Sequence, residues 1–156
     1  MKSFIGEYDC KVDDKGRFVL PAGIKKQIDP AAEETFVINR GFEKCLVLYP
    51  KNEWDGLLAR VRKKVNLFEK KGRMFMRMFQ NGATIITLDS SGRLLLPSTL
   101  TKYAGLKKDV LLFAYADRME IWDKALYEQE MNANLTGFAD LAEDLLGDPE
   151  NGGNDE

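Results

Sequence analysis

With 156 residues and 44% hydrophobic content, the chain can bury a real core and fits one ordinary domain or two very small ones. It has no histidine, which removes Ser-His-Asp and Cys-His catalysis, His-ligated zinc and the usual general base near neutral pH; no enzyme is expected. The net charge of −2 hides a division: residues 125–156 carry nine of the 25 acids and no base, so the first 124 residues set 23 bases against 16 acids, a net of +7 suited to a polyanionic partner.

The first residues, Met1 to Glu7, meet an acid too early for a secretion signal, and no later run approaches membrane-spanning length, so a cytoplasmic protein is expected. A strand over about 6–12 leads into a turn at Asp13–Arg17, where Gly16 supplies positive φ, and a second strand follows; the pair reads as a hairpin. Pro21 stops that strand and opens a short helix to Gln27. Two β-rich runs within 36–50 form a second hairpin, turning at Arg40–Lys44. Residues 51–64 place Trp54, Leu57, Leu58 and Val61 on one helical face. Another helix, over 67–79, stops before Gly82. Its Phe68, Phe75 and Phe79 with Met74, Met76 and Met78 exceed one narrow stripe, which calls for a well-buried helix or, in a sharper reading, a subunit interface. The same helices carry Arg60, Arg62, Lys63, Lys64, Lys70, Lys71, Arg73 and Arg77, spread around their surfaces as solvated or intersubunit charge.

The pattern then starts again. A strand over 83–88, a turn around Gly92, a further strand, a helix from Pro97 to Tyr103 and a hairpin turning at Ala116–Arg118 follow in the same order. Residues 124–146 read as an amphipathic helix or pair with a break at Gly137, and 147–156 as a disordered acidic tail. Cys10 and Cys45 lie in strand-like apolar runs without zinc-site spacing and read as reduced core thiols.

DDKGRFVLP at 13–21 and DSSGRLLLP at 89–97 share five identities in nine positions at an offset of 76, and Tyr49 and Trp122 fall in corresponding places further on. The chain is thus a tandem duplication. Its expected parts are a first repeat over 1–50, a helical connector over 51–82, a second repeat over 83–123, a C-terminal helical segment over 124–146 and the tail. Each half has too little apolar surface to stand alone, so the two are expected to interleave.

Together with FIGEY at 4–8 and YAGLKKDV at 103–110, these motifs resemble the MraZ family of transcription regulators over roughly residues 1–145. The family's D-x-x-x-R motif is present in both halves, as Asp13 to Arg17 and Asp89 to Arg93. The resemblance implies an α+β fold of two tandem AbrB-like swapped-hairpin β units, paired within one chain as a pseudo-dimer barrel with flanking helices. It also implies ring-shaped homo-oligomers, association with the nucleoid, and binding to repeated double-stranded DNA elements upstream of the division and cell wall gene cluster, usually as a repressor. No cofactor, metal or small-molecule substrate is implied.

Asp and Arg four apart across a glycine turn can close on each other, the carboxylate accepting backbone N–H groups and orienting the guanidinium. Arg17 and Arg93 are the candidate DNA contacts, because a guanidinium grips a phosphate or a guanine edge bidentately. Lys11 and Lys15 add charge to the first half alone, where the second half has Thr87 and Ser91. Asp13, Gly16, Asp89 and Gly92 are expected to shape the two turns and orient the arginines; the plainer alternative makes Asp and Arg simple turn glue. Two other functional readings compete: an antitoxin-like DNA-binding regulator, and a structural or protein-interaction ring that docks through its acidic tail. That tail solvates the surface in the plainest view, and in a sharper one competes with DNA for the basic face.

Overall fold

In the computed structural model, which describes residues 3–147, the chain runs β1 (Phe4–Lys11), β2 (Arg17–Val19), α1 (Ala22–Lys25), β3 (Thr35–Arg40), β4 (Leu46–Pro50), α2 (Lys51–Lys64) and α3 (Lys70–Phe79). It continues through β5 (Thr84–Thr87), β6 (Arg93–Leu95), α4 (Ser98–Tyr103), β7 (Asp109–Ala116) and β8 (Arg118–Asp123) to α5 (Lys124–Asn134) and α6 (Phe138–Leu146). Contacts divide the chain after Lys124.

The first expected hairpin is not one. β1 forms no ladder with β2; it pairs antiparallel with β7 of the other half, from Phe4 opposite Ala116 to Lys11 opposite Asp109, and β2 pairs with β6. In return β5 pairs with β3. Only the second hairpin of each half, β3–β4 and β7–β8, is closed by its own neighbour. The physical reason lies in burial. A strand pair closed within one half would cover one small apolar face, whereas exchange joins the apolar faces of both halves in a single core.

The result is a six-stranded sheet, β1-β7-β8-β4-β3-β5, and a separate two-stranded ribbon, β2-β6. Its registers repeat between halves: Lys11 faces Asp109 as Thr87 faces Thr35, and Tyr8 faces Leu112 as Thr84 faces Ile38. At the middle, Leu46 faces Ile121 and Leu48 faces Met119. The duplication read from the sequence is therefore also a duplication of pairing. The sheet does not close on itself, its edges being β1 and β5, whereas the resemblance implied a barrel. At the β1 edge the Gln27 amide accepts from Ile5 N–H at 3.0 Å and donates to Ile5 C=O at 2.9 Å, taking backbone groups that a closing strand would need.

Phe18 and Leu94, opposite each other in the ribbon, are buried in a core with Phe36, Ile38, Leu46 and Leu48 of the first half and Val110, Leu112, Met119 and Ile121 of the second. Ile24 of α1 and Leu100 of α4, which correspond at the repeat offset, complete it. A second cluster of Val37, Val47, Tyr49 and Trp54 packs with Leu57 and Phe79, the Trp54 and Phe79 rings stacking at 5.7 Å. Buried Asn39 donates to Phe79 C=O at 2.6 Å and so ties down the end of α3.

α3 is not the well-buried helix of the plainer expectation. Gly72 is its sole buried residue; Met74, Phe75 and Met78 are exposed, and Phe68 before it is 96% exposed. Phe79 reaches the Trp54 cluster and stacks on Phe75, which leaves the rest of this apolar surface uncovered within the chain.

Beyond Lys124, α5 and α6 are separated by a 3-10 turn at Leu135–Gly137, the break expected near Gly137. On α6, Phe138, Leu141 and Leu145 recur at helical spacing and are exposed. The expected tail lies, beyond Gly147, outside the described residues. No described helix is long and apolar enough to cross a membrane. Both cysteines are free thiols, Cys45 buried and Cys10 half-buried. Burial pushes the Cys10 thiol up to about 11 and raises that of Cys45 too, so both stay protonated near neutral pH.

Candidate nucleic-acid interface

The two D-x-x-x-R motifs fold into the same turn, atom for atom. Asp13 Oδ1 accepts from the N–H groups of Lys15 and Arg17, both at 2.9 Å, and Oδ2 accepts from Arg17 Nε at 2.9 Å. Asp89 repeats this with Ser91 and Arg93, again at 2.9 Å throughout. Gly16 N–H donates to Asp13 C=O and Gly92 N–H to Asp89 C=O, each at 3.0 Å. Both glycines have positive φ, +85° and +74°, where a side chain would be strained.

The backbone N–H of the arginine is the largest cause holding each carboxyl below its ordinary value, and its guanidinium adds to the effect. Because Nε is occupied by the carboxylate, each guanidinium is fixed in orientation while its Nη atoms have no hydrogen-bond partner among the described residues. A turn that fixes an arginine and leaves its donor fork open is prepared to take a phosphate or a base edge.

Ribbon pairing brings the two arginines to one surface. Arg17 faces Leu95 and Val19 faces Arg93, so these four side chains share a face, and the opposite face carries the buried Phe18 and Leu94. Val19 and Leu95 are 59% and 56% exposed. Strand alternation beside Arg17-Phe18 would have singled them out in the sequence, since the neighbours of an inward Phe18 must point outward. The antiparallel ribbon sets the two turns at its opposite ends, where Leu20 N–H donates to Gly92 C=O at 3.1 Å and Leu96 N–H to Gly16 C=O at 2.8 Å.

Lys15 is exposed on the first turn, and Lys11 is exposed at the end of β1, opposite Asp109. The second turn has neither charge. Of the bases on α2 and α3, Arg60 lies 3.7 Å from Asp117, and Arg73 Nη1 donates to Leu67 C=O at 3.0 Å.

Among the described residues, one group has the donor types for a metal. Ligand atoms of Glu43, Cys45 and Glu120 lie within 4.8 Å of one another. Burial and the two carboxylates raise the thiol, however, and Glu120 already accepts from Trp122 Nε1 at 2.8 Å and Tyr115 Oη at 2.9 Å. A protonated thiol beside an occupied carboxylate is a poor ligand set.

The model of the family described as "MraZ protein, putative antitoxin-like" matches the chain twice, over residues 3–78 and 78–148. Relatives named transcriptional regulator MraZ include one from Flavobacterium psychrophilum, 43% identical over 94% of each chain. Another, from Christiangramia forsetii, is 43% identical over 94% of this chain and 95% of its own length. A third, from Cytophaga hutchinsonii, is 42% identical over 94% and 96%.

Proposed function

The chain belongs to the MraZ family, and from that premise we propose that it is a DNA-binding transcriptional regulator whose contact surface is the exposed face of the β2–β6 ribbon with its two Asp–Arg turns. The family is one of transcriptional regulators, not of enzymes. The observation that carries the site is the pair of identical turns, each clamping an arginine through Nε with its Nη atoms turned to no described partner.

In this reading Arg17 is the principal contact, reading a base edge or gripping a phosphate, and Arg93 is the weaker one. Lys11 and Lys15 anchor phosphates beside Arg17, and Asp13, Gly16, Asp89 and Gly92 hold the turn geometry. The exchanged halves are AbrB-like swapped-hairpin units paired as a pseudo-dimer within one chain, with the ribbon and the open sheet standing for the barrel. The protein acts in the cytoplasm at the nucleoid as a homo-oligomeric ring on repeated promoter elements, repressing the division and cell wall gene cluster.

The test is a titration of the purified chain with the duplex upstream of its own gene and with a scrambled duplex of equal length. Specific retention that falls with rising salt supports the reading. Assembly without any DNA retention would instead favour a protein-interaction ring.

A further inference from the structure

Strand exchange gives the two turns different neighbours. Beside the first turn, Val12 N–H donates to Lys108 C=O at 2.8 Å, and Lys107 N–H donates to Asp123 Oδ1 at 3.2 Å. A cleft there has Asp13, Asp14 and Gly16 on one side and Lys107 and Lys108 on the other. Beside the second turn the corresponding bond runs from Leu88 N–H to Glu34 C=O at 3.0 Å, so Glu33 and Glu34 stand where the lysines stand in the first. All four side chains are exposed.

The charges that meet are therefore opposite. At the first turn Lys11, Lys15, Arg17, Lys107 and Lys108 oppose Asp13, Asp14, Asp109 and the buried Asp123, a formal net of +1. At the second turn Arg93 and Lys25, which stands at the repeat offset where Thr101 lines the first cleft, oppose Asp89, Glu33 and Glu34, a formal net of −1. Two turns with the same hydrogen bonds thus offer a phosphate chain opposite fields. Any single exposed charge is worth little in a protein, but on DNA each neutralised phosphate releases condensed counterions, and these contributions accumulate.

We propose that Lys107 and Lys108, supplied by the second half, are phosphate-binding residues of the first turn, and that Glu33 and Glu34 hold the second turn off the DNA backbone. Each protomer then engages duplex DNA asymmetrically, first turn foremost. The proposal rests on the DNA-binding reading above and adds residues that lie outside both D-x-x-x-R motifs.

The experiment uses the full chain and the two duplexes already described, with anisotropy titrations from 50 to 200 mM salt. K107Q/K108Q should bind both duplexes more weakly and lower the salt slope by about two, so that the affinity lost across that range is about tenfold smaller. E33Q/E34Q should bind both duplexes more tightly, a gain that misfolding cannot produce. The bonds at Lys107, Lys108 and Glu34 are made by backbone atoms, so circular dichroism and melting should be unchanged in both variants. Unchanged slope and affinity in K107Q/K108Q, while Arg17→Ala loses binding, would overturn this proposal and leave the DNA-binding reading standing. Equal or weaker binding by E33Q/E34Q would also overturn it. No retention of either duplex by the unaltered chain at 50 mM salt would sink both.

Discussion

Arg17 and Arg93 make the same bonds within the protein, so a difference between their variants must come from what surrounds them. Arg17→Ala should abolish or greatly weaken operator binding, with about 1–3 kcal/mol of base discrimination lost per bidentate contact, while Arg93→Ala is milder. The check is operator against scrambled duplex with variants of unchanged melting temperature; equal losses on both duplexes would make Arg17 a phosphate anchor instead of a base reader. A second outcome concerns pH. Asp13 and Asp89 titrate below the ordinary carboxylate value near 4, so the stability they lend is fully present above that value and is lost only as pH falls through the lower folded one. With no histidine and with Cys10 raised to about 11, affinity at fixed salt should be flat between about pH 5.5 and 7. An inflection in anisotropy titrations near pH 6.5 would contradict this. At this scale the sequence was most readable: Asp, Gly and Arg at fixed spacing specify a turn by local chemistry alone. Lys107 and Lys108 were not readable as part of it, because their nearness to Asp13 depends on which strand pairs with which.

The ribbon divides its side chains between core and surface, and the division has measurable consequences. Phe18→Ala should cost about 3–5 kcal/mol by opening a cavity at the centre of the shared core. Val19→Ala and Leu95→Ala should shift stability by no more than about 0.5 kcal/mol, and any loss of DNA affinity they cause then reports contact through the ribbon face. Urea denaturation of the three variants separates these cases. Among elements, the hairpins at 35–50 and 109–123 could be read in advance, since their strands are joined by short turns. β1 and β2 misled, because a strand, a glycine turn and another strand carry the same pattern whether the ladder closes locally or across the molecule. α3 misled for a related reason: apolar content does not say whether the covering surface lies in the same chain.

For the whole molecule, the uncovered Phe68, Phe75 and Met78 motivate an assembly larger than a dimer. Light scattering at micromolar concentration should report it, and F75S/M78S should reduce the mass without loss of secondary structure; a monomeric parent would refute the idea. Exchange also predicts the behaviour of a fragment ending after residue 82. Deprived of β5, β6 and β7, it should be unfolded as a monomer by circular dichroism, or fold only by pairing with a second fragment. A folded monomeric fragment would show that local pairing suffices after all. The same wiring bears on how the protein comes off the ribosome. The partner of β1 is encoded about a hundred residues after it, and at roughly 5–20 residues per second the first strand waits on the order of 5–20 s for its ladder. Phe18 and Leu20 emerge into the same interval with their eventual cover still unmade. Nascent chains of this protein should therefore need a holdase until nearly all of β7 has cleared the exit tunnel, and slowing translation within residues 20–100 should raise aggregation.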